Sequence, residues 1–331
     1  MNNRRKLVLA SGASALASPF VSFAQEAGKL RRVGVLMGFA ESDAEAQARL
    51  AGFTEGLAAK GWVAGRNLRL DIRWTAADAG RAATLAKELV ALQPDAILSS
   101  TTPATVALQR ESRTIPIVFT VVSDPVGSGF AETLARPGGN ITGFINIESS
   151  LAEKWMQLLK EIAPRVTRVA VMFNPDVTPY ADFYLRPLQV VASKLGVKAF
   201  AATVRSESDI ETAIGNLGRE PGGGFIELTN SFTFLHRKSI IALTARHRIP
   251  AIYSVGKFVE EGGLISYGVE VRDLFRRAAP YVDRILRGAK PGELPVQQPA
   301  TFELFINGKT AQGLGLKIPQ SLLISANRIF E

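Results

Sequence analysis

The alternation of short apolar runs with amphipathic stretches, carried through twice, constrains this chain more than any other feature. RRVGVLMG leads into a stretch in which Leu50, Phe53 and Leu57 share one helical face. NLRLDIRW then alternates, with Leu68, Leu70, Ile72 and Trp74 on one side and charges on the other. That is the two-residue period of a strand with one covered face. Leu85, Leu89 and Leu92 mark a helix, DAILS a buried strand, PATVALQ a helix and IPIVFTVV another strand. Repeated β–α alternation with apolar strands predicts a parallel sheet flanked by helices.

The pattern restarts near residue 150. Ser150 and Glu153 have the spacing of a capping box, and Leu151, Trp155, Leu158 and Ile162 form a helical stripe. RVAVMF reads as a strand, the segment around Leu185 to Leu195 as a helix closed by Gly196, and VKAFAATV as a strand, with a second capping box at Ser208 and Glu211. GGGFIEL, IPAIYS and GGLISYG add three strands, and Val271, Leu274, Phe275, Ala278, Val282, Ile285 and Leu286 make a long amphipathic helix. Two such runs predict an α/β protein of two Rossmann-like lobes with parallel sheets, hinged around a central cleft. The boundary segment RPGGNITGFINIESS is a compact turn and strand, and near Tyr267 to Val271 the chain again passes from strand to helix without a spacer. We place the N-terminal lobe at residues 31–145, rejoined by about 271–298, and the C-terminal lobe at 146–270, rejoined by about 299–331. Stiff crossings of this kind create a hinge, and clefts at domain junctions are favoured ligand sites.

Composition narrows the chemistry. The chain has no cysteine, which removes disulfides, thiolate zinc sites, iron–sulfur clusters and cysteine nucleophiles. Its two histidines, His236 and His247, are too few for a multi-histidine metal centre. At the N-terminus, MNNRRK precedes LVLASGASALASPFV and SFAQ: a positive region, a short apolar stretch, and small residues before a cut near Ala24. Residues 1–24 are thus expected to be a cleaved signal peptide, exported by the Sec or twin-arginine route. Cleavage removes Arg4, Arg5 and Lys6 from a formal net charge of +9. The remaining cations are interspersed with acids, so no nucleic-acid partner is expected.

The residues then carry a family likeness. STTPAT, VVSDPVGSGF, LARPGGNITG, EEGGLISYGVE, AAPYVDRILRGAKPGELPVQQP and FELFINGKTAQGLGLKIP, spread from about Arg31 to the C-terminus, closely resemble the ABC-transporter substrate-binding proteins of the tryptophan-binding-like group. That group lies in the type I periplasmic-binding superfamily. The resemblance implies a periplasmic-binding-protein-like I fold, capture of a small solute by lobe closure and delivery to an ABC permease in the membrane. It also implies aromatic and other amino acids as the ligand class. After the strand in the second lobe, Leu228, Thr229, Asn230, Ser231 and Phe232 replace the small polar run common in the family.

Open parallel sheets bind ligands beyond the carboxyl ends of their strands. After DAIL come Ser99, Ser100, Thr101, Thr102 and Pro103; these hydroxyls could capture a carboxylate or simply cap the following helix. After PIVFTVV come Ser123 and Asp124, where the carboxylate could pair with a ligand ammonium or organise a turn. In the second lobe Asn174, Thr229, Asn230, Tyr253 and Tyr267 sit at strand ends, the tyrosines as ring-stacking groups or as core rings with wet hydroxyls. Phe39, after the first strand, is either a lid over an apolar ligand or a core residue.

Sharper chemistry fails on inspection. NGKT at Asn307 to Thr310 lacks the earlier glycine of a phosphate loop, whose place is taken by Glu303. Ser254 and Lys257 fit S-x-x-K without the other elements of that site. The expectation is a solute receptor with no catalytic residue, cofactor or metal, periplasmic and monomeric. It captures an amino acid or a small aromatic carboxylate for an ABC permease. A ligand-sensing subunit signalling to a membrane receptor would share the same fold.

Overall fold

In the computed structural model the described residues are 30–148 and 150–331, so the expected signal peptide lies outside them. The first run folds as β1 (Arg31–Met37), α1 (Ala44–Ala58), β2 (Leu68–Trp74), α2 (Ala79–Ala91), β3 (Ala96–Ser100), α3 (Thr102–Glu111), β4 (Ile117–Val122) and β5 (Ile141–Ile145). These strands form one parallel sheet in the order β2-β1-β3-β4-β5. Every residue of β3 is buried, because helices cover both faces of a central parallel strand. β2 lies at the edge and keeps charges: Asp71 meets Arg32 at 3.2 Å and Arg69 at 3.3 Å.

The second run gives α4 (Ser150–Ile162), β6 (Arg168–Phe173), α5 (Ala181–Lys194), β7 (Lys198–Thr203), α6 (Glu207–Gly218), β8 (Gly223–Glu227), α7 (Ser231–Leu235), α8 (Arg237–Arg246), β9 (Ala251–Tyr253), α9 (Gly256–Glu260) and β10 (Ile265–Gly268). Its strands run parallel in the order β7-β6-β8-β9-β10, the same winding as in the first sheet. The chain then continues as α10 (Val271–Leu286), β11 (Glu303–Asn307), α11 (Gly308–Gly313), α12 (Gln320–Ser325) and β12 (Arg328–Phe330). β11 pairs antiparallel with β10, and β12 parallel with β11, so the second sheet is mixed and has seven strands. These two strands lie beyond the β–α alternation read from the sequence and add to the parallel sheet expected from it.

Helix α10 packs on α1 and against β3, β4 and β5, so it belongs by contact to the first lobe. Its apolar stripe, including Leu274, Phe275, Ala278 and Val282, is fully or almost fully buried there. The chain therefore crosses between lobes three times: β5 to α4, β10 to α10, and the segment before β11. These crossings lie side by side. Gln297 exchanges backbone hydrogen bonds with Gly143 and Ile145, Gly268 faces Glu303, and the Trp155 indole N–H donates to the Tyr267 carbonyl at 2.7 Å.

Local caps differ from expectation. At α6 the box is made by Ser206 and Asp209, two residues earlier than Ser208 and Glu211. Asp209 serves because its short carboxylate reaches back to the Ser206 N–H at 3.0 Å while Ser206 accepts from the Asp209 N–H. Ser150 is already the first helical residue of α4, so it does not occupy the N-cap position that a Ser150–Glu153 box requires.

Candidate functional site

Both sheets direct the carboxyl ends of their inner strands at a cleft between the lobes. Both lobes contribute its walls. In each sheet it lies where the strand order reverses, after β1 and β3 in the first lobe and beside β8 in the second, the position where open α/β sheets place ligands.

On the first-lobe side, Phe39 follows β1 and Thr101 follows β3. Thr101 has φ +87° and makes no side-chain cap bond to α3, and Val121 has φ +56° at the irregularity between Thr120 and Val122. Such a backbone costs about 1–3 kcal/mol for a residue with a Cβ and concentrates at ligand sites. Gly38 makes room for Thr101, since any Cβ there would collide with the Thr101 hydroxyl.

Arg49 of α1 also faces the cleft and is only 1% exposed. Its guanidinium lies over the rings of both Phe39, at 4.7 Å, and Phe234, at 4.3 Å, which themselves meet edge to face at 5.5 Å. Nε donates to Glu45 Oε1 at 3.3 Å, whereas Nη2 is buried with no hydrogen-bond partner. Burial draws Arg49 below the ordinary arginine range, with Glu45 pulling the other way; the guanidinium remains a cation. An unsatisfied buried cationic donor is costly unless a ligand completes it.

The second lobe completes a cluster of rings and guanidinium groups across the cleft. Arg237 of α8 covers Phe234 at 4.6 Å, so Phe234 carries a guanidinium from each lobe and meets Phe39 edge to face. Arg237 Nη1 reaches Asp43 Oδ2 of the first lobe at 2.5 Å, and its Nε meets Glu261 at 3.0 Å. Asp43 uses its other oxygen to cap α1, accepting from the N–H groups of Glu45 and Ala46 at 2.9 and 3.0 Å. Burial alone would raise the Asp43 pKa, but the Ala46 N–H and the Arg237 guanidinium outweigh it, and the carboxyl lies below its ordinary value.

Beneath the second-lobe wall, Glu227 is 1% exposed and accepts from the hydroxyls of Ser254 at 2.5 Å and Thr233 at 2.6 Å. Burial raises its pKa despite these donors. Tyr180 donates to the Thr229 carbonyl at 3.0 Å, and burial pushes its phenol up to about 12, so it acts as a donor throughout the physiological range.

Of the residues singled out from sequence, Phe39, Thr101, Thr229 and Asn230 are brought together on the cleft wall. Ser100 and Thr102 are buried outside that wall with unpartnered hydroxyls. Ser123 donates to Asn146 Oδ1 at 3.3 Å, and Asp124 accepts from the Gly127 N–H at 2.8 Å, the turn-forming alternative. Asn174 accepts from the Asp176 N–H at 2.9 Å. Tyr253 is a core ring stacked on Phe258 at 4.7 Å, its hydroxyl 3.1 Å from that of Thr244, and Tyr267 packs on Phe302. Sequence reasoning missed Arg49, Asn146, Tyr180 and Phe234. For Arg49 a signal existed: Ala46, Arg49, Leu50, Phe53 and Leu57 are all buried on one face of α1, so a cation sits within an apolar stripe.

Comparison with known proteins fits this geometry. The chain is similar to the Tyrosine-binding protein of Clostridioides difficile (strain R20291), with 26% identity over 267 residues, covering 80% of this chain and 76% of the relative. A conserved domain protein from Vibrio cholerae O1 biovar El Tor str. N16961 superposes with a TM-score of 0.84 at 30% identity, over 91% of this chain and 100% of that one. An ABC domain in complex with L-Trp from Streptococcus pneumonia gives a TM-score of 0.83 at 25% identity, over 91% of this chain and 99% of that one. The family model for ABC transporter substrate binding proteins matches residues 32–330. With two like-wound lobes, a cleft at their switch points and a match along nearly its whole length, this chain belongs to the ABC transporter substrate-binding protein family.

Proposed function

We propose that the protein is an extracytoplasmic receptor that captures a small carboxylate-bearing solute, an amino acid or an aromatic acid, by closing its lobes, and hands it to an ABC permease. The observation that carries this reading is Arg49: a buried guanidinium on the cleft wall with one free end, flanked by two aromatic rings from opposite lobes. A carboxylate would complete its hydrogen bonding, and the rings together with Val121, Val177 and Val269 would cover an apolar body. The names of the similar proteins, one tyrosine-binding and one bound to L-Trp, support a solute of that size. Residues 1–24 act as the export signal, and the mature chain works as a monomer in the periplasm. Among the described residues no helix is long and apolar enough to cross a membrane.

The reading has no use for bond chemistry. A solute touching both walls favours the closed form through contacts available only there, and the changed outer surface is what a permease reads. A thermal-shift and calorimetric screen of amino acids and aromatic acids tests it: a true solute raises the melting temperature by mass action. Arg49→Gln should weaken that solute at least tenfold. Equal binding by Arg49→Gln would remove the guanidinium from the site.

A further inference from the structure

An amino acid offers two charges, and the cleft is built for one. Arg49 is the one charged side chain among the described residues lining it. The first turn of α3 adds positive character from the same side: Thr101 and Pro103 line the cleft, and the helix start has no side-chain cap. Anion capture is therefore supported twice, by a free buried guanidinium end and by an uncapped ten-residue helix.

An ammonium would find no carboxylate on the cleft wall among the described residues. Four carboxylates of the surrounding elements have partners of their own. Asp43 holds Arg237 and caps α1, Glu45 meets Arg49 Nε, Asp124 holds the Gly127 N–H, and Glu227 takes the hydroxyls of Ser254 and Thr233 behind the wall. Three neutral acceptors on the wall each already take one hydrogen bond. Asn146 Oδ1 accepts from Ser123, Asn230 Oδ1 from the Thr233 N–H, and the Thr229 carbonyl from Tyr180. A buried ammonium needs an anion or several free acceptors to offset its lost hydration.

We infer that the preferred guest is an organic acid anion with an apolar, aromatic or branched body and no amino group. The inference rests on the receptor reading above and narrows its solute class. Calorimetric titration of the protein with matched pairs tests it: L-phenylalanine against 3-phenylpropanoate, L-tryptophan against indole-3-propanoate, and L-leucine against 4-methylpentanoate, with phenethylamine as the amine-only probe. In at least one pair the acid should bind ten or more times tighter than its amino acid, and phenethylamine should not bind. Asn146→Asp, which keeps an acceptor for Ser123 and adds a carboxylate to the wall, should move that ratio at least tenfold toward the amino acid. Tighter or equal binding of the amino acids overturns the inference and leaves the receptor standing. Binding by no member of either set overturns both.

Discussion

Replacing Asp43 by Asn tests whether the ion pair across the cleft holds the lobes together. Oδ1 caps α1 and Oδ2 meets Arg237, so asparagine keeps the cap and loses only the charge facing the second lobe. Arg237 retains Glu261 and the Phe234 carbonyl within its own lobe whichever way the lobes stand. The change therefore falls on the closed form. The pair is largely sequestered, with side-chain exposures of 9% and 11%, so solvent screening discounts it little. Losing one charge-assisted hydrogen bond of this kind costs about 1.5–3 kcal/mol. That lowers the closed-to-open ratio roughly 10- to 150-fold. The chain has no cysteine, so a cysteine pair at the exposed Arg66 and Arg219 would report inter-lobe distance by pulsed dipolar spectroscopy without background labelling. Asp43→Asn should broaden that distribution toward longer distances and speed solute release, with little loss of thermal stability. Asp43→Ala should add about 1 kcal/mol of instability by removing the cap. An unchanged distance distribution together with an unchanged release rate would refute the latch.

Two other outcomes follow from buried polar groups. Glu227 has a raised folded-state pKa, so the folded state binds more protons than the unfolded one as pH climbs through the ordinary glutamate range. Its contribution is complete below the unfolded value and is lost as pH rises through the folded one; melting temperature plotted against pH should lose part of that decline in Glu227→Gln, and an identical slope would count against it. Tyr253→Phe should cost about 1 kcal/mol through the lost hydroxyl contact with Thr244, while leaving solute affinity unchanged, as titration would show.

The alternation of Val33, Val35 and Met37 with helical stripes made the two-lobed α/β architecture legible, because burial on both faces demands such runs. The added β11 and β12 were not, since these short strands follow the last long helical stripe and fall outside that alternation. At the site, strand-end logic found Phe39, Thr101, Thr229 and Asn230, which reach the cleft through the local turn alone. It left two readings open for Tyr253 and Asp124, whose settings depend on Phe258, Thr244 and Gly127 as neighbours. It passed over Arg49 and Phe234 because they meet only when two lobes, 185 positions apart along the chain, come face to face.

Three adjacent crossings are stitched to one another through Gln297, the Gly268–Glu303 pair and the Trp155 indole, which would favour a swing of the proposed receptor's lobes over a slide. A door hung on three pins opens and shuts but does not twist or slide. Closure of the kind proposed would then reduce to a single angular coordinate, and one well-chosen spacing between the halves would be enough to follow it.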